Sequence, residues 1–244
     1  MLRSIKQLYG DGLRATDGDI GHIKDFYFDD QDWAVRYVVV DTTSWLSGRL
    51  VLITPHVFTN FDLDGVYRTV NLTRKQIEDS PDFDSHKPIS RQYEGEYYRY
   101  YGWPNYWQEA GPWGFGAIPM AEPIVIEPPD LSAAEPTQPV ANGDSHLRST
   151  QALNGYHIQT DEGPIGHVID FILDHESWNI CHLVIETGHW FSGKEIVISP
   201  GQVVRISYEE SKVFVSVTKE SILKAPEYHV PPWAFKDTAV VAAK

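Results

Sequence analysis

Between residues 12 and 72, apolar and polar positions alternate in short runs closed by Gly, Asp, Asn or Pro, the pattern of half-buried strands joined by tight turns. Leu13-Arg14-Ala15 leads into the turn Thr16-Asp17-Gly18-Asp19. Ile20 to Phe28 reads as one long strand with Gly21 at a bend, and Asp29-Asp30-Gln31-Asp32 turns the chain. Trp33 to Asp41 is dense in β-branched and aromatic residues. Trp45-Leu46-Ser47-Gly48-Arg49 turns again, Leu50 to Ile53 is a strand ended by Pro55, and Thr69 to Leu72 closes the series. Ser4-Ile5-Lys6-Gln7 has capping-box spacing, with Leu8 next and Gly10 as a left-handed stop; Thr73-Arg74-Lys75-Gln76 repeats that spacing before Ile77 and Pro81. Many short strands with a one- or two-turn helix at either end predict a mainly β fold, a small antiparallel β-barrel.

The whole pattern then returns at an offset of 145 residues. Leu2-Arg3-Ser4 recurs as Leu147-Arg148-Ser149, Gly21-His22 as Gly166-His167, Asp25-Phe26 as Asp170-Phe171, and Pro81 as Pro226. Aligned without a gap, residues 2–83 and 147–228 share 24 identities in 82 positions. A register held through every predicted turn marks a duplication. It predicts two tandem barrels, separate and superimposable, at 1–84 and 147–229, with a connector at 85–146 and a tail at 230–244. The positions that define the repeat are Gly21, Asp25, Trp33, Trp45 and Gly48, matched by Gly166, Asp170, Trp178, Trp190 and Gly193. The second copy departs where Cys181 replaces Arg36, His182 replaces Tyr37 and Glu195 replaces Leu50.

The connector has two parts. Tyr93, Tyr97, Tyr100 and Tyr101 fall on one face of a helix from Ser90 to Tyr101, with Gly102 just past its end. From Tyr93 to Phe115, 10 of 23 residues are aromatic, a density that predicts packing on a barrel, on the other copy or on a second chain. Its residues Tyr93, Tyr97, Tyr100, Tyr101, Trp103, Tyr106, Trp107, Trp113 and Phe115 are the candidate interaction set. Beyond it, six prolines in the 21 residues from Pro119 to Pro139 predict a semi-rigid extended linker, mobile around Ser132 to Ser145.

The chain has 244 residues with 20 basic and 34 acidic side chains, net −14, which disfavours phosphate backbones and so nucleic acid as a partner. Cys181 is the sole cysteine, so an intramolecular disulfide, a cysteine metal cluster and a thiol shared by both copies are all excluded. Met1 to Gln7 lacks a signal-peptide apolar run, and no run of 18 apolar residues occurs, so membrane insertion is not expected and the location reads as cytoplasmic.

Candidate chemistry is sparse. His22 and Asp25, with His167 and Asp170, suggest a metal or acid-base pair, but strand residues three apart point to opposite faces. Asp29 reads as a turn cap, and Asp25 and Asp41 as strand-end groups. Asp29-Asp30-Gln31-Asp32 lacks the glycine and terminal Glu of a calcium loop. Ser47-Gly48 lacks nucleophile-elbow spacing. Trp33, Trp45, Trp178 and Trp190 beside tight turns read as core or rim packing. No catalytic residue, cofactor or metal is expected.

Asp17-Gly18-x-Ile20-Gly21-x-Ile23-x-Asp25 leading to Asp29, Arg36-Tyr37-Val38-Val39-Val40-Asp41, Trp45-Leu46-x-Gly48-Arg49 and Thr73-x-x-x-Ile77 together resemble the PRC-barrel domain. The resemblance covers both repeats. That domain is shared by the cytoplasmic part of the photosynthetic reaction-centre H subunit, the C-terminal domain of the ribosome maturation factor and many bacterial stand-alone proteins. It implies a barrel used for protein contacts, without a recurrent catalytic constellation. The expected function is a non-enzymatic interaction or scaffolding module with a protein partner and self-association. The alternatives it implies are a peripheral regulator of electron or proton transfer at a membrane complex, and an RNA-processing or ribosome-assembly factor.

Overall fold

The computed structural model describes residues 2–42, 45–46, 48–60, 67–85, 88–107, 146–188 and 193–228. Trp113, Phe115, Trp190, the Ser132–Ser145 stretch and the tail at 230–244 lie outside the described residues.

The first repeat contains β1 (Leu2–Ser4), α1 (Ile5–Leu8), β2 (Gly12–Ala15), β3 (Gly18–Asp29), β4 (Val35–Asp41), β5 (Leu50–Ile53), β6 (Phe58–Asn60), β7 (Tyr67–Val70) and α2 (Arg74–Glu78). The connector supplies α3 (Arg91–Tyr101). The second repeat contains β8 (Leu147–Ser149), α4 (Thr150–Leu153), β9 (His157–Thr160), β10 (Gly163–Asp174), β11 (Asn179–Thr187), β12 (Glu195–Ile198), β13 (Val203–Ser207), β14 (Lys212–Val215) and α5 (Lys219–Lys224). A 3-10 turn at Pro55–Val57, mirrored at Pro200–Gln202, links β5 to β6 and β12 to β13.

The caps read from the sequence are in place. Gln7 N–H donates to the Ser4 hydroxyl, Thr73 and Gln76 form a reciprocal capping box, and Gly10 is left-handed. Gly21 and Gly166 occupy the same structural position: a Cβ there would overlap the carbonyl oxygen of Asp41 in one repeat and of Glu186 in the other. These glycines let the long strand pass against its neighbour where a side chain has no room.

The fold is mainly β, with two seven-stranded sheets. The first runs β5-β4-β3-β2-β7-β6 and the second β12-β11-β10-β9-β14-β13. Among the described residues no ladder joins the ends of either path. All ladders are antiparallel except β2 with β7 and β9 with β14, which are parallel. Side-chain alternation gives no strand direction, which is why the pattern alone does not foresee them.

The seventh strand of each sheet comes from the other repeat. β1 pairs with β10, Leu2 opposite Asp174 and Ser4 opposite Ile172, while β8 pairs with β3, Leu147 opposite Asp29 and Ser149 opposite Tyr27. The expected separateness of the two modules is therefore corrected: each lends its first strand and helix to its twin. At the centre, Ala34 bridges Asn179, its own counterpart 145 residues on (179 − 34). Val35 N–H donates to the Trp178 carbonyl and Ile180 N–H to the Trp33 carbonyl, both at 2.8 Å. This reciprocity is that of a two-fold contact built inside one chain. The buried side chains of both repeats form one continuous core, in which Phe28 lies 5.9 Å from Phe171.

Candidate interaction surfaces

Trp33 and Trp178 hold the two-fold seam in left-handed backbone, φ 61° and 58°, which bulky residues rarely adopt. The turn fixes it: Trp33 N–H donates to the Asp29 carbonyl and Trp178 N–H to that of Asp174, at 2.8 and 2.7 Å. The Trp33 ring stacks on Phe28 at 5.1 Å, and Trp178 reaches across to Phe58 of the first repeat at 5.0 Å. Trp45 Nε1 donates to the Ile20 carbonyl at 2.6 Å, beneath the Arg74 guanidinium. Gly48 and Gly193 take positive φ in equivalent turns.

Asp25 and Asp170, read from sequence as strand-end groups, cap the helices exchanged between the repeats. The Ser4 hydroxyl and Lys6 N–H donate to Asp170 at 2.5 and 2.9 Å; the Ser149 hydroxyl and Gln151 N–H donate to Asp25 at 2.5 and 3.0 Å. Burial pushes both carboxyls up, against the pull of these donors. His22 is exposed while Asp25 is buried, so the structure does not bring that pair together. His167 lies 3.5 Å from Glu186, both partly exposed. Asp29 accepts from Gln31 N–H at 3.0 Å, as a turn cap does.

The described part of the aromatic tract, Tyr93 to Trp107, folds onto the first sheet. Ser90 caps α3 and left-handed Gly102 ends it. Tyr97, Tyr98 and Tyr101 are buried. Tyr97 packs edge-on against Tyr37 at 5.4 Å and donates to the Leu52 carbonyl at 2.9 Å. Tyr93 and Tyr100 donate to the carbonyls of Pro81 and Gln76, at 3.1 and 2.9 Å. Trp103 stacks on Tyr101 at 4.3 Å and meets His56 edge-on at 4.1 Å. Burial lowers the His56 pKa to about 4, so its ring is neutral at neutral pH. Trp107 sits 5.9 Å from Tyr98.

Beneath α3 lies a carboxylate that the sequence reading did not single out. Glu94 is fully buried, and Tyr106 and Tyr37 donate to its Oε1 at 2.9 and 3.1 Å. Arg91 donates to its Oε2 at 3.3 Å, and His146 Nε2 lies 3.4 Å from the same oxygen. Burial raises the Glu94 pKa, while His146, Arg91 and the tyrosine hydroxyls draw it down. Arg36 lies over the Tyr106 ring at 4.1 Å. The signal for Glu94 was available: it precedes Tyr97, Tyr98 and Tyr101 at the i, i+3, i+4, i+7 spacing of a buried helix face. Tyr37 and Arg36, two of the positions where the repeats depart, touch this connector cluster.

Among the described residues, apolar exposure is greatest on the second repeat. Val204 is 68% exposed and Tyr208 40% exposed, both on the hairpin of β13 and β14 or at its tip. Arg205 lies over the Phe214 ring at 3.6 Å, and Arg148 over Tyr208 at 4.9 Å. Among the described residues β13 pairs on one side only, with β14. None of the described helices is long and apolar enough to cross a membrane. Compared with known proteins, the chain matches no protein-family model and no curated protein.

Proposed function

We propose that this chain is a non-enzymatic tandem PRC-barrel protein of the cytoplasm that works as a protein-interaction module, with the β13 edge as its contact surface. The observation that carries this reading is that, among the described residues, β13 pairs on one side only, with β14, and carries the exposed Val204. An edge strand offers a row of backbone donors and acceptors that a partner strand can continue, and exposed apolar side chains give such a contact its specificity. Arg205 keeps a charge on the edge, a feature that limits indiscriminate pairing. Helix α3 of the connector, packed inward through Tyr97, Tyr98 and Tyr101, supports the module from within. The resemblance of both repeats to PRC-barrel sequences supports the same reading.

The test compares the full chain with a Val204→Glu, Tyr208→Ser variant as baits in native lysate, each checked for an unchanged circular dichroism spectrum. A partner retained by the original chain and lost by the variant is expected. Equal retention by both, or no retained protein with either, counts against the β13 edge as the contact.

A further inference from the structure

Each sheet offers a place for a strand and a short helix that its own repeat does not fill. At the end of β3 that place holds Leu147-Arg148-Ser149, and at the end of β10 it holds Leu2-Arg3-Ser4. Leu153 and Leu8, in the helices that follow, are buried there. Asp25 and Asp170 anchor the two segments through the Ser149 and Ser4 hydroxyls, both at 2.5 Å.

The side chains also fix which repeat fits which place. The Tyr9 and Thr150 hydroxyls bond at 2.8 Å, but the counterpart of Thr150 is Ile5, which has no hydroxyl. Arg148 donates to Asp30 at 2.5 Å, but the counterpart of Asp30 is His175. Two first repeats would therefore set Tyr9 against Ile5, and two second repeats would set Arg148 against His175. The contact favours unlike repeats. None of these bonds, and neither bond of the seam where Ala34 bridges Asn179, depends on both repeats belonging to one chain.

We propose that a second copy of this chain fits these places: two chains exchange repeats, the first of each clasping the second of the other through β1, β8 and the central seam. Every sheet keeps seven strands, and both exchanged helices keep their aspartate anchors. Monomer and exchanged dimer hold the same contacts between repeats, so protein concentration decides between them. Neither place can be vacated without opening both sheets. Exchange therefore takes place when unfolded chains refold together and not when folded chains meet.

The experiment uses two full-length chains, both with Cys181→Ser, one also with Ala34→Cys and the other with Asn179→Cys. Positions 34 and 179 face each other across the seam, so a disulfide between the two chains reports the first repeat of one against the second of the other. The chains are unfolded together, refolded at low and at high protein concentration, and oxidised with glutathione disulfide. A mixed disulfide dimer is expected, its share rising several-fold with concentration. Its absence overturns the proposal. So does an equal yield from chains mixed after folding, or an equal yield of disulfides between like chains. A second reading needs no cysteine: the unsubstituted chain, refolded at high concentration, is expected to give a dimer that persists on dilution. Amide exchange at Tyr27–Asp29 and Ile172–Asp174 in that dimer is expected to be as slow as in the monomer. Faster exchange there, or a dimer that dissociates at once on dilution, overturns the proposal. Neither reading involves Val204 or Tyr208, so the β13 contact stands or falls separately.

Discussion

At the scale of single residues, space and ionisation make two firm demands. Gly21 and Gly166 face carbonyl oxygens where a methyl group has no room, and Gly21 also has a φ of 139°, a conformation side-chain-bearing residues rarely adopt. Gly21→Ala and Gly166→Ala should each cost about 3 kcal/mol or more, the range of overpacking added to backbone strain, measured by denaturant melts. The second demand concerns protons. Burial raises the pKa of Glu94, Asp25 and Asp170 in the folded chain above the ordinary carboxylate value. The folded state then holds more protons than the unfolded one between those values, so stability is full below the unfolded pKa and declines as pH rises through the folded one. His56 acts in the opposite sense: its folded pKa of about 4 lies below the ordinary histidine value of 6.5, so its contribution is lost as pH falls through that window. Glu94→Gln should therefore remove part of the loss of stability on raising the pH from the acidic side, and His56→Phe should remove part of the loss on acidification. Thermal melts across the acidic to neutral range check both slopes.

At the scale of elements, α3 is the clearest dependence of the first sheet on something outside its own repeat. Tyr97 is fully buried, packs on Tyr37 and bonds to the backbone of β5, so Tyr97→Ala should cost about 3–5 kcal/mol, the usual range for truncating a buried aromatic. A loss below about 1 kcal/mol in denaturant melts would mean that the helix merely rests on the surface. This element was legible from the tyrosine spacing together with Ser90 and Gly102, because cap chemistry and helical period are local. β5 was legible as a strand, but not why its Leu-Val-Leu-Ile is apolar on both faces while β12 reads Glu-Ile-Val-Ile. That difference depends on which sheet α3 covers, a long-range fact that no local pattern holds. The Glu94 cluster was illegible for the same reason: its donors come from β4, from α3 and the turn after it, and from His146 at the start of the second repeat.

At the scale of the whole molecule, the duplication was readable and the exchange of β1 and β8 was not. Leu2-Arg3-Ser4 and Leu147-Arg148-Ser149 are the same tripeptide, and Asp25 and Asp170 are the same acceptor. Either strand is therefore chemically suited to either sheet, and sequence cannot say which sheet each one joins; the structure selects the crossed arrangement. The crossing has a thermodynamic consequence. A sheet that loses its borrowed strand also loses the cap on the borrowed helix, since Asp25 bonds to Ser149, Thr150 and Gln151, and Asp170 to Ser4 and Lys6. Neither half can then open without stripping a strand and a helix from the other, so the two repeats should unfold in a single cooperative step. Asp25→Ala tests the coupling. It removes a cap in the first sheet yet should lower the denaturant midpoint seen by a fluorophore on Cys181, which lies in the second sheet, as much as it lowers the midpoint seen by far-ultraviolet circular dichroism. A Cys181 signal that keeps its original midpoint while circular dichroism splits into two steps would show that the repeats unfold independently and that the exchanged strands do not couple them.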